Sequence, residues 1–219
     1  MDSVYFFLKG PMMWISFIIF MIGVVYQLYR FFSLAIKKEA FMFSFFSLKY
    51  GLRSIWHWII PFASTNMREQ RAMTVVGFAF HICLLVVPIF LMAHIVLLND
   101  AFNISYWALP KILADIMSII VIAGCVFFLV RRIVRPEVRF VTSISDYILL
   151  LIVALPFITG LWSVYQFPGY SYVLLIHILS GQIMLMAIPF TRFIHMVFGA
   201  ISRAYTGSEF GGVRFARDW

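Results

Sequence analysis

The chain has 219 residues, of which 63% are hydrophobic and 19% aromatic, and a net charge of +8. Soluble domains carry roughly 45–50% apolar residues, so this composition, with a mean hydropathy of +0.98, excludes a separate soluble catalytic domain and describes an integral membrane chain. The basic residues cluster between apolar stretches, which makes them topology markers in a lipid bilayer and excludes a nucleic-acid patch.

A membrane span takes about 20 apolar residues. The first is expected over residues 12–34 and is closed by Lys37 and Lys38. No small-residue cleavage site follows a short apolar core, so this helix reads as retained. Residues 41–62 mix aromatics with Lys49, Arg53 and His57 and are punctuated by Gly51 and Pro61, the pattern of an amphipathic interfacial segment. The second span is expected over 73–98 and carries His81, Pro88 and His94. The loop 99–110 holds no Lys or Arg. The third span, 112–130, ends in Arg131, Arg132, Arg135 and Arg139. The fourth covers 144–164, with Asp146 as a favourable charge at its N-terminus. A turn at 166–169 leads to the fifth, 172–199, which carries His177 and His195. The expected organisation is an all-α, five-helix membrane bundle over 1–201, including the interfacial segment, and a polar tail over 202–219.

Charge orients this bundle. The connections after the first and third spans and the tail are rich in Lys and Arg, whereas the other two connections are nearly free of them. The positive-inside rule then places the N-terminus outside and the C-terminus in the cytoplasm. The tail's aromatic and arginine residues suit docking of a cytoplasmic subunit.

Four histidines lie at membrane depth, where ionisable groups are costly and usually functional. The second and fifth spans run in opposite directions, so His94 and His177 are the outer pair and His81 and His195 the inner pair. A neutral imidazole is a common metal ligand. Each pair can clamp one haem iron between two helices. No Cys-x-x-Cys-His is present, so the haems would be noncovalent and b-type. Cys83 and Cys125, the only cysteines, read as small buried hydrophobes and are too few to ligate an iron–sulfur cluster. The spacings disagree, however. His177 and His195 are eighteen residues apart and His81 and His94 thirteen, or about 27 and 20 Å along ideal helices, with the second pair roughly 140° out of phase. Irregularities near Pro88 and Pro189 are therefore required. A rival reading makes the same histidines a proton relay in a transporter or channel subunit, and a plain structural anchor is a second.

Phe80-His81, Ala93-His94, His177 and His195, on the second and last of five spans, resemble the gamma subunit of respiratory nitrate reductase and the related membrane subunits of sulfate-reducer redox complexes. The thirteen-residue gap and Ala93 depart from the nitrate reductase pattern. The basic, aromatic first connection looks more like the cytochrome b-type subunit of the high-molecular-weight cytochrome c complex of sulfate reducers. The resemblance implies an inner-membrane electron-transfer subunit of an oxidoreductase complex with two b haems. Its partners would be a cytoplasmic iron–sulfur subunit, other membrane subunits, a periplasmic multihaem cytochrome c and a quinone such as menaquinone. Arg71, Arg131 and Arg192 are then candidates for the inner haem propionates, which favour arginine forks. Asp100, Lys111 and Asp115, just beyond His94, are candidates for handling quinol protons at the outer haem. The bland readings are snorkelling anchors for the first set and ordinary helix-end charges for the second. His57, between Trp56 and Trp58, reads as an interfacial residue.

Overall fold

The structure, a computed structural model, describes residues 2–218. Met1 and Trp219, the outer limits of the expected bundle and tail, lie outside that range. Among the described residues every regular element is helical, and five helices are long and apolar enough to cross a membrane: Asp2–Phe43, Arg71–Phe90, Lys111–Val134, Ile144–Val164 and Tyr170–Phe190. The all-helical class and the number of spans agree with the sequence. Large apolar side chains such as Ile22, Ile119, Leu151 and Ile176 face outward, while Ser118, Thr159, Ser180 and Gln182 are buried. Large apolar side chains on the outer surface are what a hydrocarbon solvent selects.

The first helix begins earlier than expected. α1 (Asp2–Phe7) passes through a π-helical turn at Leu8–Met12 into α2 (Met13–Glu39). Pro11 sits inside that turn, and a missing N–H there is the ordinary cause of such a register change.

The chain forms two compact units. One holds residues 2–8 and Val75–Gly181: α1, most of α5 (Arg71–Phe90), then α6 (Met92–Phe102), α7 (Lys111–Val134), α8 (Pro136–Phe140), α9 (Ile144–Val164) and the first part of α10 (Tyr170–Ala187). Its core contains Phe80, Cys83, Val87, Ile95, Val121, Cys125, Val153 and Phe157. α5 approaches α7 closely because residue 124 is glycine: a Cβ there would lie 2.7 Å from the Phe80 ring. α9 starts in a capping box. Asp146 Oδ2 accepts the Ser143 N–H at 2.9 Å, and the same carboxylate pairs with Arg132 at 3.7 Å.

The other unit holds Lys9–Thr74 and the chain from Gln182 onward. α3 (Leu48–Ile59) lies in the segment expected to be interfacial. Its twelve residues extend about 18 Å, well short of the roughly 30 Å hydrocarbon core. It packs along α11 (His195–Ser208) through small residues. A Cβ on Gly51 would touch Ala204 at 3.2 Å, and one on Gly207 would lie 2.4 Å from the Ser54 Cβ. Ser208 Oγ stitches the crossing by accepting the Ser47 N–H at 3.1 Å. Near the C-terminus, the Asp218 side chain is buried, with its carboxylate on Arg203 at 3.0 Å and on the Ser54 hydroxyl.

Candidate functional site

The second apolar stretch is one span followed by a break. α5 ends at Phe90, Leu91 is extended (φ −73°, ψ 129°), and α6 starts at Met92. Pro88 lies two residues before the end, and a proline ring is the commonest cause of such an interruption. A helix end leaves four carbonyls without intrahelical donors, and in lipid each must find one. Here all four do. Val87 accepts from the Leu91 N–H at 3.0 Å and Phe90 from the Leu109 N–H at 2.9 Å. Pro88 accepts from His94 Nδ1 at 2.8 Å, and Ile89 from the Tyr106 hydroxyl at 2.6 Å. The loop 103–110 therefore folds back onto the break, with Trp107 stacked on Phe90 at 4.5 Å between ring centres.

The break carries His94 to His177 of α10. Their ring centres are 6.0 Å apart and their planes 19° from parallel. His177 Nδ1 donates to the Pro156 carbonyl of α9 at 2.9 Å. α9 also makes room for the ring, since a Cβ on Gly160 would lie 3.1 Å from His177 Cε1. A carbonyl oxygen accepts only, so both imidazoles hold their proton on Nδ1 and present Nε2 as the basic nitrogen. That is the arrangement in which a neighbour fixes the tautomer of a ligating histidine.

The donor chemistry fits a haem iron. Two neutral imidazoles, each giving its Nδ1 proton to a carbonyl, keep Nε2 for a metal, and their ring centres are 6.0 Å apart. Among the described residues no three His, Cys, Asp or Glu side chains converge in a metal-binding group. Two imidazoles are a donor set that a haem iron could take.

The last apolar stretch is also interrupted, as its proline required. α10 ends at Ala187, a 3-10 turn covers Ile188–Phe190, Thr191 is extended, and a second 3-10 turn, Arg192–Ile194, leads into α11. The five-turn spacing of His177 and His195 assumed one continuous helix, and the chain has none there. The loosened carbonyls are again bonded. The Thr191 hydroxyl donates to Ala187 at 2.8 Å and Gln27 Nε2 to Pro189 at 2.7 Å. Gly23 brings α2 onto this turn, for a Cβ there would lie 2.6 Å from Pro189 Cγ. His195, the first residue of α11, donates through Nδ1 to the Arg192 carbonyl at 2.7 Å. His81, on α5 in the other unit, donates through Nδ1 to Gly77 at 2.7 Å. All four expected ligands therefore share the same carbonyl-bonded Nδ1.

The secondary candidates divide. Lys111 and Asp115 come together at 2.9 Å, and Tyr165 joins them, with its hydroxyl donating to Asp115 at 2.7 Å and its ring 4.0 Å from the Lys111 ammonium. Asp100 is exposed near the end of α6. Arg71 is exposed and donates to the Arg68 carbonyl at 3.3 Å. Arg131 is half-buried at the end of α7, where its neighbour Arg132 takes Asp146, and Arg192 is exposed in the second break. His57 is half-buried on α3. Tyr106, Gly160 and Tyr165 were not singled out in the sequence. Each acts on a residue at least seventeen positions away, and no local pattern marks such a partner.

Residues 57–171 match the nitrate reductase gamma subunit family, a stretch that includes His81 and His94 and stops before His177. A protein of Nitratidesulfovibrio vulgaris is 34% identical over 214 residues, which cover 94% of this chain and 93% of that relative.

Proposed function

This chain belongs to the nitrate reductase gamma subunit family, and we propose that it carries electrons across the cytoplasmic membrane through two bis-histidine b haems. The family consists of haem b-binding, cytochrome b-type membrane subunits of respiratory complexes. The observation that supports the outer site is the His94–His177 pair, with its ring centres 6.0 Å apart and both Nδ1 atoms bonded to carbonyls. His81 and His195 are the proposed inner ligands, on the same Nδ1 pattern. Arg71, Arg131 and Arg192 are the proposed propionate partners of the inner group. Bound haem supplies a one-electron couple, and the chain contributes ligation, orientation and a low-dielectric surround.

The residues divide the remaining work. Pro156 and Pro88 carbonyls hold the outer imidazoles in one tautomer. Lys111, Asp115 and Tyr165 form a hydrogen-bonded cluster suited to taking a proton from a quinol, with Asp100 nearby in sequence. The proposed orientation has the N-terminus outside. The proposed complex resembles the high-molecular-weight cytochrome c complex of sulfate reducers, with a periplasmic multihaem cytochrome c or a menaquinone-type pool on the outer side. On the inner side would be an iron–sulfur subunit, docked on the tail, alongside other membrane subunits.

The test is a reduced-minus-oxidised spectrum with haem quantitation on the purified chain. Two b haems per chain are expected, falling to one in His177→Ala. Protein without b-type bands, or a His177→Ala variant that keeps both haems but loses proton flux, overturns the reading in favour of the relay.

A further inference from the structure

We propose that Tyr106 is a positioning residue for the outer ligand and that the 103–110 loop is the clamp that sets the attitude of the His94 imidazole. The inference rests on His94 being a haem ligand and goes beyond it. His94 Nδ1 donates to Pro88, one residue before the carbonyl that receives the Tyr106 hydroxyl and two before the carbonyl that receives the Leu109 N–H. The three acceptors are consecutive peptide units of one broken helix end. Only two dihedrals separate each planar peptide from the next, so the donors that hold the Ile89 and Phe90 carbonyls restrict how far the Pro88 carbonyl can turn. The direction of the Pro88 carbonyl, which aims the His94 ring, is therefore set partly from residue 106.

The loop is held there by more than one bond. Asn103 closes α6 in the left-handed conformation (φ 55°), a position that asparagine tolerates, and so turns the chain back. Trp107 stacks on Phe90, and the Tyr106 ring meets the same phenylalanine edge-on at 5.8 Å. Without the phenol, the Ile89 carbonyl would lose its side-chain donor, and the helix end would be free to rotate toward another.

The variant is Tyr106→Phe in the full chain, which keeps the ring and deletes the hydroxyl. We expect two haems per chain, a shifted low-spin electron paramagnetic resonance signal for one haem only, and carbon monoxide binding by up to half of the reduced haem as His94 loosens. Unchanged signals for both haems with no carbon monoxide binding overturn the proposal. If Tyr106→Phe does not accumulate, Leu109→Pro deletes the adjacent donor and leaves the phenol, with the same expectation and the same refutation. Wild-type protein without haem refutes the ligand assignment itself, whereas intact and unmoved haems in the variant refute only the role of Tyr106.

Discussion

Gly160→Ala should cost the chain the proposed outer haem while leaving the fold in place. The added Cβ would lie 3.1 Å from His177 Cε1 and 3.3 Å from Nδ1, against 3.4–4 Å for ordinary contact. The imidazole must therefore give by about 0.3 Å at Cε1, while metal–ligand distances hold to within about ±0.2 Å. It retreats from α9, the helix whose Pro156 carbonyl holds its Nδ1 at 2.9 Å, so the movement disturbs the hydrogen bond and the ligand bond together. Helix propensity works the other way, since alanine is favoured over glycine by roughly 1 kcal/mol in a helix interior. The chain should consequently stay folded. Haem per chain, measured as the pyridine haemochrome, is expected to fall from two toward one. Gly181→Ala is the control, because a Cβ there meets nothing within 4 Å. Two spectrally unaltered haems in Gly160→Ala would refute the argument that α9 leaves only enough room for a correctly placed ring.

Three further outcomes are expected. Gly207→Ala should lower the thermal stability of the purified chain by about 1–3 kcal/mol, the usual range for overpacking, because the new Cβ would lie 2.4 Å from Ser54 and 2.6 Å from the Tyr50 carbonyl. A melting curve superimposable on that of Gly10→Ala, where a Cβ meets nothing, contradicts this. Tyr165→Phe should slow quinol-driven haem reduction roughly tenfold, the equivalent of one ~1.5 kcal/mol hydrogen bond to a charged group, with both haem spectra intact; stopped-flow reduction at wild-type rate would count against the cluster. Cys83 and Cys125, each 5% exposed, should resist maleimide in the folded chain and both react after denaturation in detergent, as mass spectrometry would show.

The five spans were legible because a run of about twenty apolar residues has few alternatives to crossing a bilayer. The need for irregularity was legible too. Thirteen residues cannot align His81 with His94 on an ideal helix, and Pro88 and Pro189 stood where the repairs were required. What stayed hidden was how each break is bonded. A proline predicts a weakened helix but says nothing of which donors will serve the loosened carbonyls. Those donors, Tyr106, Leu109, Gln27 and Thr191, are ordinary residues whose role comes from where the chain returns. The extent of the last span was misjudged for a related reason. Residues 172–199 read as one apolar run, yet the span ends at Phe190 and His195 opens a separate helix. Hydropathy is blind to a break that keeps its side chains apolar. The packing of α3 on α11 also escaped notice, since Gly51 and Gly207 are as silent in a pattern of polarity as they are necessary in a contact.

One consequence concerns charge. Many ligating histidines lean on a carboxylate, which can draw the Nδ1 proton toward itself and carries its own ionisation. His94 and His177 lean on the carbonyls of Pro88 and Pro156. A carbonyl is neutral and has no proton to exchange. The partners of the proposed outer ligands therefore add no ionisation of their own and offer the Nδ1 proton no second base to move to. The hydrogen-bonded groups that do carry ionisations of their own are Lys111, Asp115 and Tyr165.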